Sequence, residues 1–177
     1  PGVEANTGAL GHGLSLAAGM ALGQRLDGKK SQVYAVMGDG ELAEGSNWEA
    51  AAAAAHHHLD NLTVFVDFNG LQISGKVQDV MNFTPIGDHF AAFGWAVKDI
   101  DGNDMSQVVE ALDALPLIPG KPNLIVAHTV KSKGLSFAEN KAAYHYWTPK
   151  DEELSQANQE TEAAIAPQEH EWKQIAQ

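Results

Sequence analysis

Asp39 and Asn69 are the two residues whose types and surroundings best suit the binding of a metal ion. Asp39 lies between Gly38 and Gly40, and Asn69 directly precedes Gly70. Mg²⁺ and Ca²⁺ prefer oxygen ligands, and they take carboxylate and carbonyl oxygens together with the oxygens of bound phosphates. Glycine has no Cβ, so the backbone can approach such phosphates closely. The residues predict a site for a divalent cation and a diphosphate, with an ordinary Gly-Asp-Gly turn as the alternative.

The elements around these residues predict that they lie together. Apolar runs at 33–37 and 62–66 are typical of strands that lead into Asp39 and Asn69, and the Ala-rich segment 44–58 between them is typical of a helix. A strand, a helix and a strand of this length form a right-handed unit with parallel strands. The carboxyl ends of both strands then share one edge, which is where open α/β sheets bind ligands.

Three segments of the chain resemble the thiamine diphosphate-dependent transketolase family. Residues 38–45 read Gly-Asp-Gly-Glu-Leu-Ala-Glu-Gly and residues 69–75 read Asn-Gly-Leu-Gln-Ile-Ser-Gly, which together resemble the cofactor signature of that family. Residues 7–13, Thr-Gly-Ala-Leu-Gly-His-Gly, resemble the loop that precedes this signature. The resemblance extends from residue 1 to about residue 147. It implies an α/β fold with an open, mostly parallel sheet flanked by helices.

The resemblance also implies a role for each residue of the site. Asp39, Asn69 and the backbone carbonyl of Leu71 would bind Mg²⁺ or Ca²⁺, and the Gly40 amide would donate to the diphosphate of thiamine diphosphate. His145 would lie near the diphosphate and the substrate and act as the catalytic residue. The full set of cofactor contacts, in which Leu10 and Ile73 pack against the thiazolium ring, consists of Gly8, Leu10, Gly38, Asp39, Gly40, Glu41, Asn69, Leu71, Ile73 and His145.

Transketolases carry a second, pyrimidine-binding domain whose glutamate activates the cofactor, and 177 residues leave no room for it. The resemblance therefore implies the amino-terminal subunit of a split transketolase, or a fragment of one. Its expected partner is a carboxyl-terminal, pyrimidine-binding subunit, and its expected substrates are sugar phosphates. A homodimer or a heterotetramer is expected, since the cofactor site of the family forms between two domains that usually belong to different chains. The implied reaction is the transfer of a two-carbon ketol unit, with no turnover by the chain alone.

Three other interpretations remain open. A related thiamine diphosphate enzyme, of the deoxyxylulose phosphate synthase or 2-oxoacid dehydrogenase E1 alpha type, shares the Gly-Asp-Gly feature, although residues 41–45 and 69–75 favour transketolase. A magnesium-dependent nucleotide-binding protein would place an aspartate at a strand end, but the chain lacks a glycine-rich loop ending in Gly-Lys-Ser or Gly-Lys-Thr. The third interpretation is a truncated, non-catalytic scaffold subunit.

Charge and composition argue against several classes of function. The formal net charge is −12, with 44% hydrophobic and 19% charged residues. Phosphate backbones and anionic membranes attract an excess of lysine and arginine, so neither nucleic acid nor membrane is expected as a partner. The chain has no cysteine, and we find neither an apolar run long enough to span a membrane nor a signal peptide. These features fit a folded domain of a cytoplasmic protein.

The rest of the chain predicts further elements of the same sheet. Helices are expected at 10–26, at 85–93 and from an Asp104 cap to 115, and strands are expected at 95–100 and 123–130. The loop 131–145 should then reach the same edge as Asp39. Residues 1–147 form the predicted binding domain. Residues 148–177 form a predicted acidic helical tail, with Thr148 as its cap and Pro149 in its first turn.

Several other residues could suggest a site but have simpler interpretations. The three histidines at 56–58 point in different directions on a helix and cannot converge on one metal ion. His12 stands where the family commonly has glutamine, so a cofactor contact and a packing role in its loop are both open. The resemblance implies that Glu44 lies at a subunit interface. Lys131 and Lys133 could steer a sugar phosphate, although exposed lysines are more often only solvated.

Overall fold

The computed structural model describes residues 2–175, and for residues 166–175 it describes the backbone only. The helices are α1 Gly13–Leu26, α2 Gly45–His56, α3 Val77–Val80, α4 Ile86–Phe93, α5 Met105–Asp113 and α6 Asp151–Ile175. The strands are β1 Val33–Gly38, β2 Leu62–Phe68, β3 Leu71–Gln72, β4 Gly75–Lys76, β5 Ala96–Asp101 and β6 Asn123–His128. Short 3₁₀ turns occupy Gly40–Ala43 and Ala142–Tyr144.

Four of the strands form one parallel sheet in the order β1-β2-β6-β5. Gly38 at the end of β1 lies beside Asp67 of β2, and Phe68 of β2 lies beside His128 of β6. The predicted α/β fold with an open, mostly parallel sheet is therefore confirmed. Strands β3 and β4 form a separate antiparallel hairpin that carries the predicted Leu71.

The core is asymmetric about this sheet. On one face, buried side chains of α1, α2 and α4, such as Leu14, Ala51 and Phe90, belong to one cluster with Val64 and Val126 of the sheet. On the other face, Ala111 of α5 belongs to a smaller cluster with strand residues of β5 and β6. Strand β6 is buried at five of its six residues, as expected for a central parallel strand.

Strand β1 forms one edge of the sheet. Its side chains alternate in exposure, because Met37 is buried on the helix-covered face while Tyr34 and Val36 point the other way. Tyr34 is 52% exposed and Val36 is 77% exposed. The outer part of the sheet face next to β1 is therefore apolar and open within the described chain.

Most sequence-based boundaries agree with the structure to within a few residues. The helix expected at 10–26 begins at Gly13, and the strand expected at 123–130 ends at His128. The predicted Asp104 cap is confirmed, since its side chain accepts a hydrogen bond from the Ser106 amide at 2.9 Å.

The predicted start of the tail helix is wrong. Helix α6 begins at Asp151, so Thr148 is not its cap and Pro149 is not in its first turn. The Lys150 carbonyl accepts from the Leu154 amide, which makes Lys150 the residue at the helix start. The Glu153 carboxylate, in the first turn of α6, accepts from the Lys150 amide at 3.0 Å and from the Trp147 indole at 3.3 Å, so it links the start of the helix to the residues before it. The last two residues of the predicted tail lie outside the described residues.

None of the helices within residues 2–175 is both long enough and apolar enough to cross a lipid bilayer.

Candidate functional site

The structure brings the two predicted ligand segments together at the carboxyl edge of the sheet. Asp39 directly follows β1, and Asn69 directly follows β2. Asp39 Oδ2 accepts a hydrogen bond from the Gly70 amide at 2.7 Å, and the Asp39 amide donates to the Asp67 carbonyl at 3.3 Å. Parallel pairing of β1 with β2 therefore turns two distant sequence segments into one small surface.

Asp39 is a buried carboxylate, with 2% of its surface exposed. Burial raises its pKa above the ordinary value, because desolvation disfavours the charged form. The amides of Gly70 and Gly40, each 2.7 Å from one carboxylate oxygen, oppose that increase in pKa. The charge of Asp67 raises the pKa further and the charge of Lys131 lowers it. A bound cation would favour the ionised form of Asp39.

The side chain of Asn69 is held at both ends. Its Oδ1 accepts a hydrogen bond from the Leu71 amide at 3.0 Å, and its Nδ2 donates to Asp67 Oδ2 at 3.2 Å. The Thr129 hydroxyl, from the end of β6, donates to Asp67 Oδ1. The protein's own contacts therefore give the amide a defined orientation.

The donor set fits a hard cation that also binds phosphate. Asp39, Asn69 and the Leu71 carbonyl offer only oxygen atoms, and each oxygen has two lone pairs. Within the described residues no group of three or more His, Cys, Asp or Glu side chains could hold a metal ion. In proteins Mg²⁺ takes one or two carboxylates and completes its octahedron with water and phosphate oxygens.

The two glycines beside Asp39 have different surroundings. A Cβ added to Gly38 would have no heavy atom within 4 Å, so the space above Gly38 is open. A Cβ on Gly40 would lie 2.9 Å from Gln72 Cγ, so the Gln72 side chain of the β3–β4 hairpin would have to move to admit it. The Gly40 amide, which the resemblance assigns to the diphosphate, donates to Asp39 Oδ1 in this structure.

The loop 7–13 is fixed to this edge through Gly11. Glu41 Oε1 accepts from the Gly11 amide at 2.9 Å, and the Ser46 hydroxyl donates to the Gly11 carbonyl at 2.7 Å. Gly11 has a positive φ of 83°, and a Cβ there would lie 2.6 Å from both Glu44 Cβ and Ser46 Oγ. The predicted cofactor residue Glu41 therefore uses one carboxylate oxygen to hold the loop that carries Gly8 and Leu10.

The apolar residues predicted to contact the thiazolium ring are open to solvent. Leu10 is 48% exposed and Ile73 is 51% exposed, and Gly8 is exposed as well. Leu71 is half-buried. His12 Nδ1 lies 3.2 Å from the Ala9 carbonyl and 3.1 Å from the Leu10 carbonyl, which is a contact within its own loop.

The loop after β6 carries the predicted catalytic histidine. His145 is exposed, and its Nδ1 lies 3.5 Å from the Nζ of Lys131. Lys131 also lowers the pKa of Asp39, so its positive charge acts on the candidate metal site. The loop is stabilised by contacts among the rings of Phe137, Tyr144 and Trp147, whose centroids lie 5.2–5.9 Å apart.

Helix α6 is attached to the same loop by polar contacts. The Ser136 amide donates to Glu160 Oε2 at 2.8 Å, and the Ser136 hydroxyl donates to Glu160 Oε1. Gln156 Nε2 donates to both partners, at 3.1 Å to the hydroxyl oxygen and at 2.8 Å to the carboxylate. These hydrogen bonds, first from Ser136 and then from Gln156, lower the pKa of Glu160.

Asp67 and Thr129 contact the candidate site but were not predicted from the sequence. Asp67 lies two residues before Asn69, and Thr129 is the first residue after β6. Their positions at the carboxyl ends of adjacent strands were a usable signal, because polar side chains at these ends share one edge. Their mutual contact could not be read from either segment alone.

Comparison with known proteins identifies the family of this fold. The chain matches the profile of the family described as "Transketolase, thiamine diphosphate binding domain" over residues 1–170. It is 44% identical over 160 residues to one subunit of the apulose-4-phosphate transketolase of Actinobacillus succinogenes, covering 90% of this chain and 58% of the relative. It is 42% identical over 144 residues to the 6-deoxy-6-sulfo-D-fructose transketolase subunit SqwG of a Clostridium species, covering 81% of this chain and 52% of that relative.

A solved structure supports the same assignment. The transketolase of Campylobacter jejuni superposes with a TM-score of 0.81 at 33% identity, covering 89% of this chain and 26% of that one. The chain therefore spans between one half and three fifths of the two relatives described above, and about a quarter of this larger enzyme.

Proposed function

The chain belongs to the transketolase thiamine diphosphate-binding domain family, and we propose that it supplies the Mg²⁺- and diphosphate-binding part of an enzyme that transfers two-carbon ketol units between sugar phosphates. The carrying observation is the hydrogen bond between Asp39 Oδ2 and the Gly70 amide, 2.7 Å long, at the carboxyl edge of the sheet. It joins the Gly-Asp-Gly segment to the Asn-Gly-Leu segment, which supports a site that uses Asp39 together with Asn69 and Leu71.

In this proposal Asp39, Asn69 and the Leu71 carbonyl bind Mg²⁺, or Ca²⁺ in its place. The open space at Gly38 admits the diphosphate, whose charge the metal ion balances. The net charge of −12 supports a role for the cation, since the chain has few positive side chains to offer a diphosphate. Thiamine diphosphate supplies the nucleophilic carbon needed to break and form bonds next to a ketose carbonyl.

The remaining predicted residues would orient the cofactor and the substrate. Leu10 and Ile73, both about half exposed at the site edge, would cover the thiazolium ring and keep water from it. His145 would hydrogen-bond an oxygen of the substrate or of the diphosphate. Lys131, 3.5 Å from His145, would attract the anionic end of a sugar phosphate.

A partner chain is part of the proposal. Two of the relatives are named as single subunits of transketolases rather than as whole enzymes. We infer that a pyrimidine-binding subunit closes over the exposed Leu10 and Ile73 and provides the group that activates the cofactor. The assembly would then be a homodimer or a heterotetramer, and the chain alone would have no turnover.

The substrate proposal stays at the level of a class. The relatives are named for apulose 4-phosphate and for 6-deoxy-6-sulfo-D-fructose, which are both sugars with an anionic group. We propose a ketose with a terminal anionic group as donor and an aldose as acceptor. The family match favours this over a deoxyxylulose phosphate synthase or a 2-oxoacid dehydrogenase E1 alpha chain, the alternatives with the same Gly-Asp-Gly feature.

Calorimetric titration tests the binding part of the proposal. Thiamine diphosphate is titrated into the chain with Mg²⁺, with excess chelator, and in parallel with ATP as the competing class of ligand. We expect binding that requires Mg²⁺, is absent for ATP and is lost in Asp39→Ala. Asp99→Ala is the matched control, because Asp99 lies on β5, is 61% exposed and pairs only with His128 among the described residues.

Each result of this titration has a distinct meaning. Equal binding by the wild-type chain and Asp39→Ala would contradict the proposed metal site. Binding of ATP in place of thiamine diphosphate would favour the nucleotide-binding interpretation. Ketol transfer by the purified chain without any second subunit would refute the proposed need for a partner.

A further inference from the structure

Asp67 is a half-buried carboxylate to which the proposed function gives no role. It belongs to the last part of β2, next to the candidate metal ligands. Its Oδ1 accepts a hydrogen bond from the Thr129 hydroxyl, and its Oδ2 accepts from Asn69 Nδ2 at 3.2 Å. The Thr129 amide donates to the Phe68 carbonyl at 3.1 Å. Thr129 is therefore fixed against β2, and Asp67 connects it to the loop that carries Asn69.

We propose that Asp67, held in place by Thr129, is a positioning residue that fixes which end of the Asn69 amide faces a bound cation. This inference rests on the proposed function of Asn69 as a metal ligand. It assigns to Thr129 a role in metal binding although Thr129 itself is not among the proposed ligands.

The two ends of the Asn69 amide differ in what they can offer a cation. The oxygen and nitrogen ends of an asparagine side chain have nearly the same shape, but only the oxygen has lone pairs for a cation. A rotation of half a turn about the last side-chain bond would present the NH₂ group instead. A metal site built on asparagine therefore needs neighbours that distinguish the two ends.

Two neighbours of Asn69 select the same orientation. An ionised carboxylate can only accept hydrogen bonds, so Asp67 Oδ2 selects the NH₂ end of the amide. The Leu71 amide can only donate, so it selects the oxygen end, which it contacts at 3.0 Å. The second lone pair of that oxygen stays available for a cation. Asp67 can act in this way only if its own carboxylate is held, and the Thr129 hydroxyl supplies that contact.

Two other roles for Asp67 make different predictions. If Asp67 were itself a metal ligand, loss of the Thr129 hydroxyl would free Oδ1, and metal affinity would stay the same or rise. If the contact only joined β2 to β6, its loss would lower the stability of the fold without changing the metal affinity of the folded protein. The positioning role predicts weaker metal binding by a protein that is still folded.

The test compares Thr129→Val with Thr129→Ser, using Mn²⁺ as the metal probe in the presence of saturating thiamine diphosphate. Bound and free Mn²⁺ are counted by electron paramagnetic resonance. Valine keeps the shape of threonine without its hydroxyl, and we expect Mn²⁺ affinity to fall about tenfold, the lower end of the effect usual for residues that orient metal ligands. Serine keeps the hydroxyl, and we expect an affinity within about twofold of the wild type.

A second background separates orientation from general damage to the site. In Asn69→Asp both ends of residue 69 are oxygens, so its orientation no longer matters for the metal. Adding Thr129→Val to this variant should change Mn²⁺ affinity by less than about twofold. If Thr129→Val lowers the Mn²⁺ affinity of Asn69→Asp as much as it lowers that of the wild type, the inference is overturned. Equal Mn²⁺ affinity of Thr129→Val and the wild type would also overturn it.

The metal-free protein gives a readout that does not depend on the proposed function. The NH₂ resonances of Asn69, assigned by their absence in Asn69→Asp, should exchange with water faster in Thr129→Val than in the wild type or in Thr129→Ser. Equal exchange in all three proteins would overturn the positioning role. A wild-type chain that has the protected NH₂ group but binds no Mn²⁺ with thiamine diphosphate would instead refute the proposed function, and with it the role of Asp67 in metal binding.

Discussion

Gly11→Ala should destabilise the protein strongly, although it adds only one methyl group. Gly11 is buried in the loop before α1, and its φ is 83°, in the left-handed region that side chains disfavour. The added Cβ would lie 2.6 Å from Glu44 Cβ and 2.6 Å from Ser46 Oγ. Glu44 Cβ is attached directly to the backbone, so this contact cannot be relieved by rotating a side chain.

The expected magnitude combines several terms. Placing an alanine in the left-handed region costs about 1–2 kcal/mol, and forcing atoms into a packed site costs about 1–3 kcal/mol. Rotation of Ser46 away from the new methyl would break its 2.7 Å hydrogen bond to the Gly11 carbonyl, a loss of about 0.5–1.5 kcal/mol. Alanine also lowers the conformational entropy of the unfolded chain, which stabilises the folded protein by about 0.4–1 kcal/mol. We expect the free energy of unfolding to fall by about 1.5–6 kcal/mol.

Urea unfolding followed by circular dichroism measures this change, with Gly8→Ala as the control. Gly8 lies in the same loop, but its φ is not in the left-handed region and a Cβ there would have no heavy atom within 4 Å. We expect Gly8→Ala to change the free energy of unfolding by less than about 0.5 kcal/mol. If Gly11→Ala also changes the free energy of unfolding by less than about 0.5 kcal/mol, the loop does not depend on Gly11 and the reasoning is refuted.

Three further predictions concern other parts of the chain. Burial raises the pKa of Asp39, so metal affinity should fall on acidification at a higher pH than for an ordinary aspartate. In the metal-free chain, ionisation of the buried Asp39 should lower the free energy of unfolding above its folded pKa. This loss of stability should vanish below the ordinary pKa of 3.8. Mn²⁺ titrations and urea unfolding across pH test both, and a pH-independent affinity from neutral pH to pH 4 would contradict the first. The buried Asn123 side chain donates hydrogen bonds to the carbonyls of Asp60 and Leu62, so Asn123→Ala should lower the free energy of unfolding by about 2–4 kcal/mol. A urea midpoint close to that of the wild type would contradict this. Ser136→Ala should accelerate hydrogen exchange in the first turns of α6, whereas Ser155→Ala, on the exposed side of that helix, should not.

The presence of the main strands and the parallel pairing of β1 with β2 could be predicted because they depend on patterns within short segments, whereas the order β1-β2-β6-β5 was not predicted. Strand β6 is an almost continuous apolar run, and such runs are typical of buried parallel strands. Strands β1 and β2 are separated by one helix, which fixes their parallel pairing and brings Asp39 and Asn69 to one edge. The proximity of Asp39 and Asn69 therefore follows from local sequence and one general rule of topology.

The contacts that fix the site could not be predicted in the same way. The bond from the Gly11 amide to Glu41 and the bond from Thr129 to Asp67 join segments 30 and 62 residues apart. Periodicity describes which face of an element is buried, but it does not say which two loops meet. Only the folded chain shows that Glu41, predicted to contact the cofactor, holds a backbone amide.

The start of the tail helix shows how a tertiary contact can override a local signal. Thr148 followed by Pro149 is a typical helix start, yet α6 begins at Asp151. Trp147 packs against Tyr144 with ring centroids 5.2 Å apart, and its indole donates to Glu153. Aromatic packing and this hydrogen bond hold Trp147 between the preceding loop and the first turn of α6, and these contacts rather than the local propensity set the boundary.

The edge position of β1 has a consequence for how the chain behaves in concentrated solution. An edge strand offers unpaired backbone groups to any other extended chain, and the exposed Tyr34 and Val36 make such strand addition favourable. The net charge of −12 opposes it by charge repulsion between copies of the chain. Salt screens this repulsion but leaves the apolar attraction, so we expect ordered aggregation through β1 to increase with ionic strength.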